Sequence, residues 1–225
     1  MKNLRFYTIS AMVLSAFLLY ATFAGGQPYE TPAVCEEADI SLFFTPGTCD
    51  FSKEVPTPYQ VLGFNVGCRY AEWNDIIKYL EVLEKSTGKV SIMRFGKSYQ
   101  SRDFIQVCIS SEENIKNLGR IKEEHLALTD AKISDKLDIS AMPVVVNIMA
   151  SIHGNEASGV NAILPLAYYL TAQQGGSMEK LLDSTVIILT PGLNPDGINR
   201  FAVWVNSTAS KNHVADLNSR EFTEN

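Results

Sequence analysis

The spacing of apolar residues changes along the chain, and each spacing predicts an element. Apolar positions recur at helical intervals over 73–83, and Gly88 ends this predicted helix. Alternating apolar residues then predict strands at 90–95 and 104–109. The intervening residues, 96–101, are rich in turn formers, so the two strands are predicted to form a hairpin.

Two later runs, 143–150 and 185–190, are apolar at nearly every position. Such runs are typical of central strands that are covered on both faces. A helical pattern at 157–173 separates them, with Pro165 inside it. The proline predicts either a kink or a later helix start.

The remaining pattern completes a layered arrangement. Ser110 and Glu113 match a capping box ahead of a helix that runs toward Leu128, and shorter helices are predicted at 178–183 and 198–205. The order of elements predicts an α/β fold with a mixed, largely parallel central sheet and helices on both faces.

The N-terminus has the pattern of a secretory signal. Lys2 and Arg5 precede an apolar run from Ile9 to Tyr20, and small residues before Ala24 offer a cleavage point. An uncleaved anchor is the alternative, although the run is shorter than the roughly 20 residues of a spanning helix. We therefore expect a signal peptide at 1–24, export to the periplasm or the extracellular space, and no stable membrane span after cleavage.

Composition narrows the possible partners and domains. The formal net charge of −6 argues against nucleic acid as the main partner. Residues 25–65 are rich in Pro, Gly, Thr and Glu, which predicts a linker or an N-terminal extension before a domain at 66–225. The sequence makes no prediction of oligomeric state.

Four cysteines are compatible with export. Cys35 and Cys49 flank a polar stretch that a disulfide could close, whereas Cys68 has no evident role. Cys108 lies in a strand pattern, which favours a buried, small apolar side chain. Four cysteines allow three pairings, and all three stay open.

His153 and Glu156 carry the most informative chemistry. They follow the apolar run 143–150 directly, three residues apart. A catalytic zinc of the His₂Glu type needs an imidazole and a carboxylate of this kind, plus one more histidine. The alternative is a histidine that hydrogen-bonds near a helix start, with Glu156 favoured by the helix dipole. His125 lies next to the apolar stripe of its helix, which predicts a packed or a surface histidine, and His213 lies in a polar stretch, which predicts a solvated one.

A second polar loop follows the other apolar run. Asn194, Asp196 and Gly197 belong to an Asn-Pro-Asp-Gly segment, which predicts a turn in which Gly197 adopts positive φ and Asp196 bonds backbone amides. Sites in α/β sheets lie beyond the carboxyl ends of strands, so this loop and the His153 loop could face one crevice. Arg200 and Arg220 could bind a carboxylate group, with a surface arginine as the alternative for each.

Taken together, these motifs resemble a known family. A buried strand, HGNEASG at 153–159, a helix, a second buried strand and NPDG at 194–197 resemble the zinc carboxypeptidases of the carboxypeptidase A-like family. GKSYQSR at 96–102 is similar to that family's GxSxxGR hairpin turn, with Ser101 where glycine is usual. The resemblance covers about residues 60–225, and the flanking residues are most similar to a bacterial exported subgroup.

The resemblance implies a function and its limits. His153 and Glu156 would be the first two zinc ligands, and zinc-activated water would hydrolyse peptide bonds of a peptide or protein substrate. The chain would be the N-terminal portion of the catalytic domain, with the third ligand and the general base beyond Asn225. Asp216–Arg220 is similar to the family's DLNR motif, but Ser219 separates its Asn from its Arg.

Three expectations follow from this resemblance. No catalytic residue is identified in this chain, and the chain alone should be inactive and bind zinc weakly. A sheet that lacks its later strands should expose a long hydrophobic edge. The alternatives are a zinc deacylase resembling aspartoacylases and a non-catalytic exported peptide-binding module.

Overall fold

The computed structural model describes residues 40–44 and 49–208, all within one compact unit, Val34–Asn225. The predicted signal peptide at 1–24 lies outside the described residues. The same holds for Cys35, His213 and the Asp216–Arg220 segment.

The described part of the chain contains four strands, seven α-helices and three short 3₁₀ turns. A 3₁₀ turn spans Ile40–Phe43, and two more lie at Ser134–Lys136 and Ile139–Ala141. The strands are β1 (Val90–Lys97), β2 (Asp103–Ile109), β3 (Val144–Met149) and β4 (Thr185–Thr190). The helices are α1 (Pro58–Leu62), α2 (Trp73–Ser86), α3 (Glu112–Lys116), α4 (Leu118–Ala127), α5 (Ala157–Ala172), α6 (Gly176–Ser184) and α7 (Pro195–Thr208).

The four strands form one mixed sheet in the order β1-β2-β4-β3. The predicted hairpin is confirmed, since β1 and β2 pair antiparallel with Ile92 opposite Val107. β2 and β4 are also antiparallel, and β3 and β4 are parallel. The α/β class and the mixed sheet are therefore confirmed, but "largely parallel" is wrong. The described part contains one strand–helix–strand crossover, from β3 to β4, and a crossover of this kind is what makes neighbouring strands parallel.

The core lies between β2, β4 and the two longest inner helices, α2 and α5. Apolar residues at helical spacing on α2 are fully buried: Trp73, Ile76, Tyr79, Leu80 and Leu83. They join Leu164 of α5 and the buried strand residues Val107 and Leu189 in one cluster. The helical period in the sequence thus identified the buried face of α2. Helix α5 runs unbroken through Pro165, so the later start is wrong.

β3 lies at one edge of the sheet, and its apolar residues are exposed within the described part of the chain. Val144 is 60% exposed, Val146 39% and Met149 48%. The prediction of a central strand covered on both faces is therefore wrong for this structure. The expected long hydrophobic edge is present.

The start of α3 differs from the predicted capping box by one residue. Ser111, not Ser110, caps the helix by accepting a hydrogen bond from the Asn114 amide. Ser110 is buried instead, with its hydroxyl against the carbonyl oxygens of Leu182 (2.9 Å) and Thr185 (2.7 Å). The predicted single helix is also divided, because α3 ends and α4 begins around Asn117.

Residues 49–65, from the predicted linker or N-terminal extension, pack on the core. Thr57 and Gln60 cap α1 reciprocally, with bonds of 3.2 and 2.9 Å. Val55 is buried, and the Tyr79 hydroxyl donates to the Pro56 carbonyl at 3.2 Å. Burial raises the pKa of Tyr79 far above its ordinary value.

The cysteines differ in chemical state. Cys68 is disulfide-bonded, whereas Cys49 and Cys108 are thiols. The suggested Cys35–Cys49 disulfide is therefore wrong in this structure, because Cys49 is a thiol. Cys68, for which the sequence indicated no role, forms a disulfide instead. Partial burial in β2 raises the pKa of the Cys108 thiol.

Of the helices in the described ranges, none combines the length and apolar character needed to cross a bilayer.

Candidate functional site

The parallel pairing of β3 and β4 brings their carboxyl ends to the same edge of the sheet. The pairing continues past the strands, since the Ala150 amide donates to the Thr190 carbonyl at 3.0 Å. The Leu193 amide then donates to the Ser151 carbonyl at 3.0 Å. The loop after β3 and the loop after β4 therefore lie side by side, where α/β folds place their sites.

His153 and Glu156 occupy one tight turn before α5. The Glu156 amide donates to the His153 carbonyl at 3.2 Å, which closes the turn. Both residues are exposed, whereas Ser151 is buried beneath them. The Ser151 hydroxyl donates to the His153 carbonyl at 2.8 Å and lies 3.5 Å from Glu156 Oε2. The backbone of the turn is therefore fixed, while its imidazole and carboxylate are accessible.

Gly154 makes the closest backbone approach in the site. A side-chain carbon at this position would overlap the carbonyl group of Gly197 and lie 2.9 Å from the Ile198 amide nitrogen. Gly159 is restricted in the same way, because its side-chain carbon would lie 2.6 Å from the Ala150 carbonyl oxygen. The turn between His153 and Glu156 thus rests directly on the first turn of α7.

The Asn-Pro-Asp-Gly segment starts a helix instead of forming an isolated turn. The Asn194 side chain accepts from the Gly197 amide at 3.0 Å, and its carbonyl accepts from the Ile198 amide at 3.0 Å. Proline suits the first helical position, where no backbone donor is needed. Helix α7 therefore begins at Pro195, earlier than the predicted 198. Gly197 is not among the positive-φ residues, so that part of the prediction is wrong. A side-chain carbon at this position would instead crowd the Asn194 side chain that caps the helix.

Asp196 is engaged by the β1–β2 hairpin turn. Its carboxylate accepts hydrogen bonds from the Ser98 hydroxyl (2.7 Å), the Gln100 amide (3.0 Å) and Arg102 Nη1 (2.9 Å). Burial acts to raise the pKa of Asp196, but these three donors together hold that pKa below its ordinary value. The expectation that Asp196 would bond a backbone amide is met by Gln100, across 96 residues.

The site also contains residues that the sequence did not identify. Ser98, Gln100 and Arg102 were noticed as a hairpin motif, and Asp196 as part of a turn, but nothing in either segment indicates that they bind each other. Ser151 was missed entirely. A buried serine two residues before the histidine is a weak signal that only the hydrogen bond to His153 makes meaningful.

Two further candidates, Arg200 and His125, lie on helices. Arg200 is exposed on α7, one helical turn after Asp196. His125 Nε2 is 2.9 Å from the Pro143 carbonyl oxygen, so it connects α4 to the start of β3, as expected of a packed histidine.

His153 and Glu156 fit zinc in donor chemistry, since imidazole nitrogen and carboxylate oxygen are both zinc ligands. Within residues 40–44 and 49–208, no group of three or more His, Cys, Asp or Glu side chains is placed to hold a metal ion. Among the described residues, this turn therefore offers two donors of the kinds found in a catalytic zinc site.

Comparisons with known proteins agree with this chemistry. The sequence profile of the zinc carboxypeptidase family matches residues 76–225. Carboxypeptidase D from Anas platyrhynchos is 29% identical over 173 residues, covering 74% of this chain and 12% of that protein. Carboxypeptidase D from Mus musculus is 26% identical over 170 residues, covering 68% and 12%.

The chain thus spans 12% of the length of these two curated relatives. Among solved structures, carboxypeptidase A from Helicoverpa armigera aligns with a TM-score of 0.41 at 18% identity. That alignment covers 64% of this chain and 28% of the solved one.

Proposed function

Because the chain belongs to the zinc carboxypeptidase family, we propose that it is part of a zinc-dependent metallocarboxypeptidase in which His153 and Glu156 bind the metal. One observation carries the assignment of these ligands: two exposed donors share a single turn whose backbone is held from below by Ser151. A rigid platform with accessible donors is what a metal site requires.

The residues of this turn have separable roles in the proposed site. His153 offers an imidazole nitrogen, and Glu156 offers a carboxylate oxygen. Ser151 limits the movement of both, because its hydroxyl holds the His153 carbonyl and lies near Glu156 Oε2. When bound, zinc would polarise the peptide carbonyl and activate a water molecule for its hydrolysis.

The proposed substrate is a peptide or protein with a free C-terminus. Arg200 is the candidate for contact with its carboxylate, because a guanidinium binds a carboxylate through two parallel hydrogen bonds. The signal-like segment at 1–24 supports export.

We expect the 225-residue chain alone to bind zinc weakly and to lack peptidase activity. The described residues offer two donors in one turn, and two donors hold a metal less tightly than three. Zinc titration followed by NMR of the histidine rings tests the ligand assignment. His153→Ala and Glu156→Gln should each weaken binding by about tenfold or more, since the loss of a residue that merely supports a metal ligand already weakens binding by about 10–100-fold. His125→Gln is the matched control and should leave binding unchanged. Equal zinc affinity in wild type, His153→Ala and Glu156→Gln would reject both ligands.

Activity assays separate the proposed function from its alternatives. The substrates are peptides with free C-termini, the same peptides with blocked C-termini, and N-acyl amino acids. Zinc-dependent release of C-terminal residues by this chain would overturn the expected inactivity while supporting the peptidase. Release from N-acyl amino acids alone would favour a deacylase. Peptide binding that is unaffected by a chelator, without hydrolysis, would favour a binding module.

A further inference from the structure

The first turn of α7 is held between two other segments. On one side, the Asp196 carboxylate receives three donors from the hairpin turn. On the other, the Gly197 backbone lies against Gly154. Helix α7 therefore connects the hairpin to the turn that carries His153 and Glu156.

The hairpin side of this connection is a dense polar cluster. Ser98 both donates to Asp196 and accepts from the Arg102 amide at 3.0 Å. The Arg102 and Asp196 side chains are 24% and 21% exposed, so their ion pair is shielded more than a typical surface pair. Arg102 also bonds the Gln100 side chain. Charge-assisted hydrogen bonds of this kind restrain position strongly.

The Gly154 and Gly197 backbones are in direct contact on the side of the connection that faces His153. Because not even one side-chain carbon fits between Gly154 and Gly197, a shift of Gly197 toward Gly154 must move the adjacent His153 backbone. The His153 carbonyl itself accepts two hydrogen bonds, from the Ser151 hydroxyl and the Glu156 amide.

We propose that Asp196 is a positioning residue: it clamps the first turn of α7 to the hairpin so that Gly197 supports the His153–Glu156 turn. The importance of that turn rests on the proposed function, in which these two residues bind zinc. The clamp itself is a property of the metal-free protein, so it can be tested without zinc.

The test compares backbone amide exchange in the metal-free 225-residue chain with that in Asp196→Asn. The probes are the Glu156 amide, bonded to the His153 carbonyl, and the Leu193 amide, bonded to the Ser151 carbonyl. Loss of the clamp should speed exchange at both by about tenfold, since local opening becomes easier. Amides of β2 should keep their protection, which shows that the fold is intact.

Asp103→Asn is the matched control. Asp103 belongs to the same hairpin and also accepts ionic bonds, from Lys97 Nζ at 2.6 Å and Arg94 Nε at 3.4 Å. Its partners lie within the hairpin, so exchange at Glu156 and Leu193 should stay at the wild-type rate. The proposal is wrong if Asp196→Asn leaves these amides unchanged, or if Asp103→Asn accelerates them equally.

Two further measurements keep the outcome decisive. Ser98→Ala removes one donor to Asp196 and should speed exchange of the Glu156 and Leu193 amides about threefold. This variant takes the place of Asp196→Asn if Asp196→Asn does not fold. Zinc titration of Asp196→Asn should show weaker binding at His153 than in wild type. A wild-type His153 that does not respond to zinc would defeat the proposed function, while the exchange rates would still decide the clamp.

Discussion

The loops after β3 and β4 lie side by side but use their polar residues in opposite ways. After β3, the side chains of His153 and Glu156 are both exposed, and the Ser151 hydroxyl approaches Glu156 Oε2 to 3.5 Å. After β4, the Asn194 side chain caps α7 and the Asp196 side chain is bonded to the hairpin. The first loop leaves its side chains accessible, whereas the second commits them to structure.

The two helix starts show the same difference. Glu156 occupies the cap position of α5 but makes no side-chain cap bond. Asn194 precedes α7 and does accept one, from the Gly197 amide. A helix start without a capping side chain is less stable. This arrangement is consistent with Glu156 being retained for binding instead of capping.

Gly154→Ala should break this arrangement most severely, because it acts where the two loops touch. The added methyl group overlaps the Gly197 carbonyl, and neither backbone segment can move freely. We expect a loss of about 3 kcal/mol in the free energy of unfolding, measured by urea denaturation. Gly119→Ala in α4 is the control, since nothing lies within 4 Å of its added carbon. Equal stability of the two variants would contradict the close contact.

Substituting Asn194 and Glu156 one at a time should show which of the two loops uses its side chain to stabilise the fold. Asn194→Ala leaves the Gly197 amide without its acceptor and should cost about 1 kcal/mol of unfolding free energy. Glu156→Gln should change that free energy by less than about 0.5 kcal/mol, because no cap bond is lost. Urea denaturation of both variants measures the difference. A larger loss in Glu156→Gln would show that its carboxylate is structural after all.

Acid should weaken the bonds that hold the loop after β4 to the hairpin, because they depend on the ionised Asp196 carboxylate. The pKa of Asp196 is lower in the folded chain than its ordinary value, so its ionised form stabilises the fold at neutral pH. This stabilisation falls as the pH drops below about 4, the range of an unfolded aspartate, and through the lower folded pKa. Asp196→Asn should therefore lose less stability than wild type between pH 7 and pH 3, measured by urea midpoints. Asp103 and Asp138 also have lowered pKa values, so both wild type and variant should keep some acid sensitivity. Parallel curves for wild type and variant would contradict the role of Asp196.

Local patterns predicted most of the elements. The buried face of α2, the hairpin and the strand β4 follow from apolar periodicity, which depends only on neighbouring residues. The position of His153 and Glu156 at a strand end was predicted for the same reason. Where two serines were adjacent, at 110 and 111, the pattern could not distinguish the cap from the buried hydroxyl.

The failures involve partners far apart in the chain. The apolar residues of β3 predict a covered strand, but the cover must come from other segments, and the described residues do not supply it. The contact between Asp196 and the hairpin joins segments more than 90 residues apart. Both outcomes depend on tertiary packing, which the spacing of neighbouring residues does not predict.

Ser101 offers the smallest and most specific test, because it lies in the turn that holds the second loop. It is the one non-glycine residue with positive φ in the described part of the chain, at 63°. A side chain in this conformation costs about 1 kcal/mol, and glycine's greater freedom in the unfolded chain offsets part of the gain. Ser101→Gly should therefore raise the free energy of unfolding by about 0.5 kcal/mol. Tyr99→Gly, at a fully exposed position of the same turn without positive φ, should give no such gain. A gain in both variants would mean that turn flexibility, not relief at Ser101, stabilises the hairpin and the α7 start bound to it.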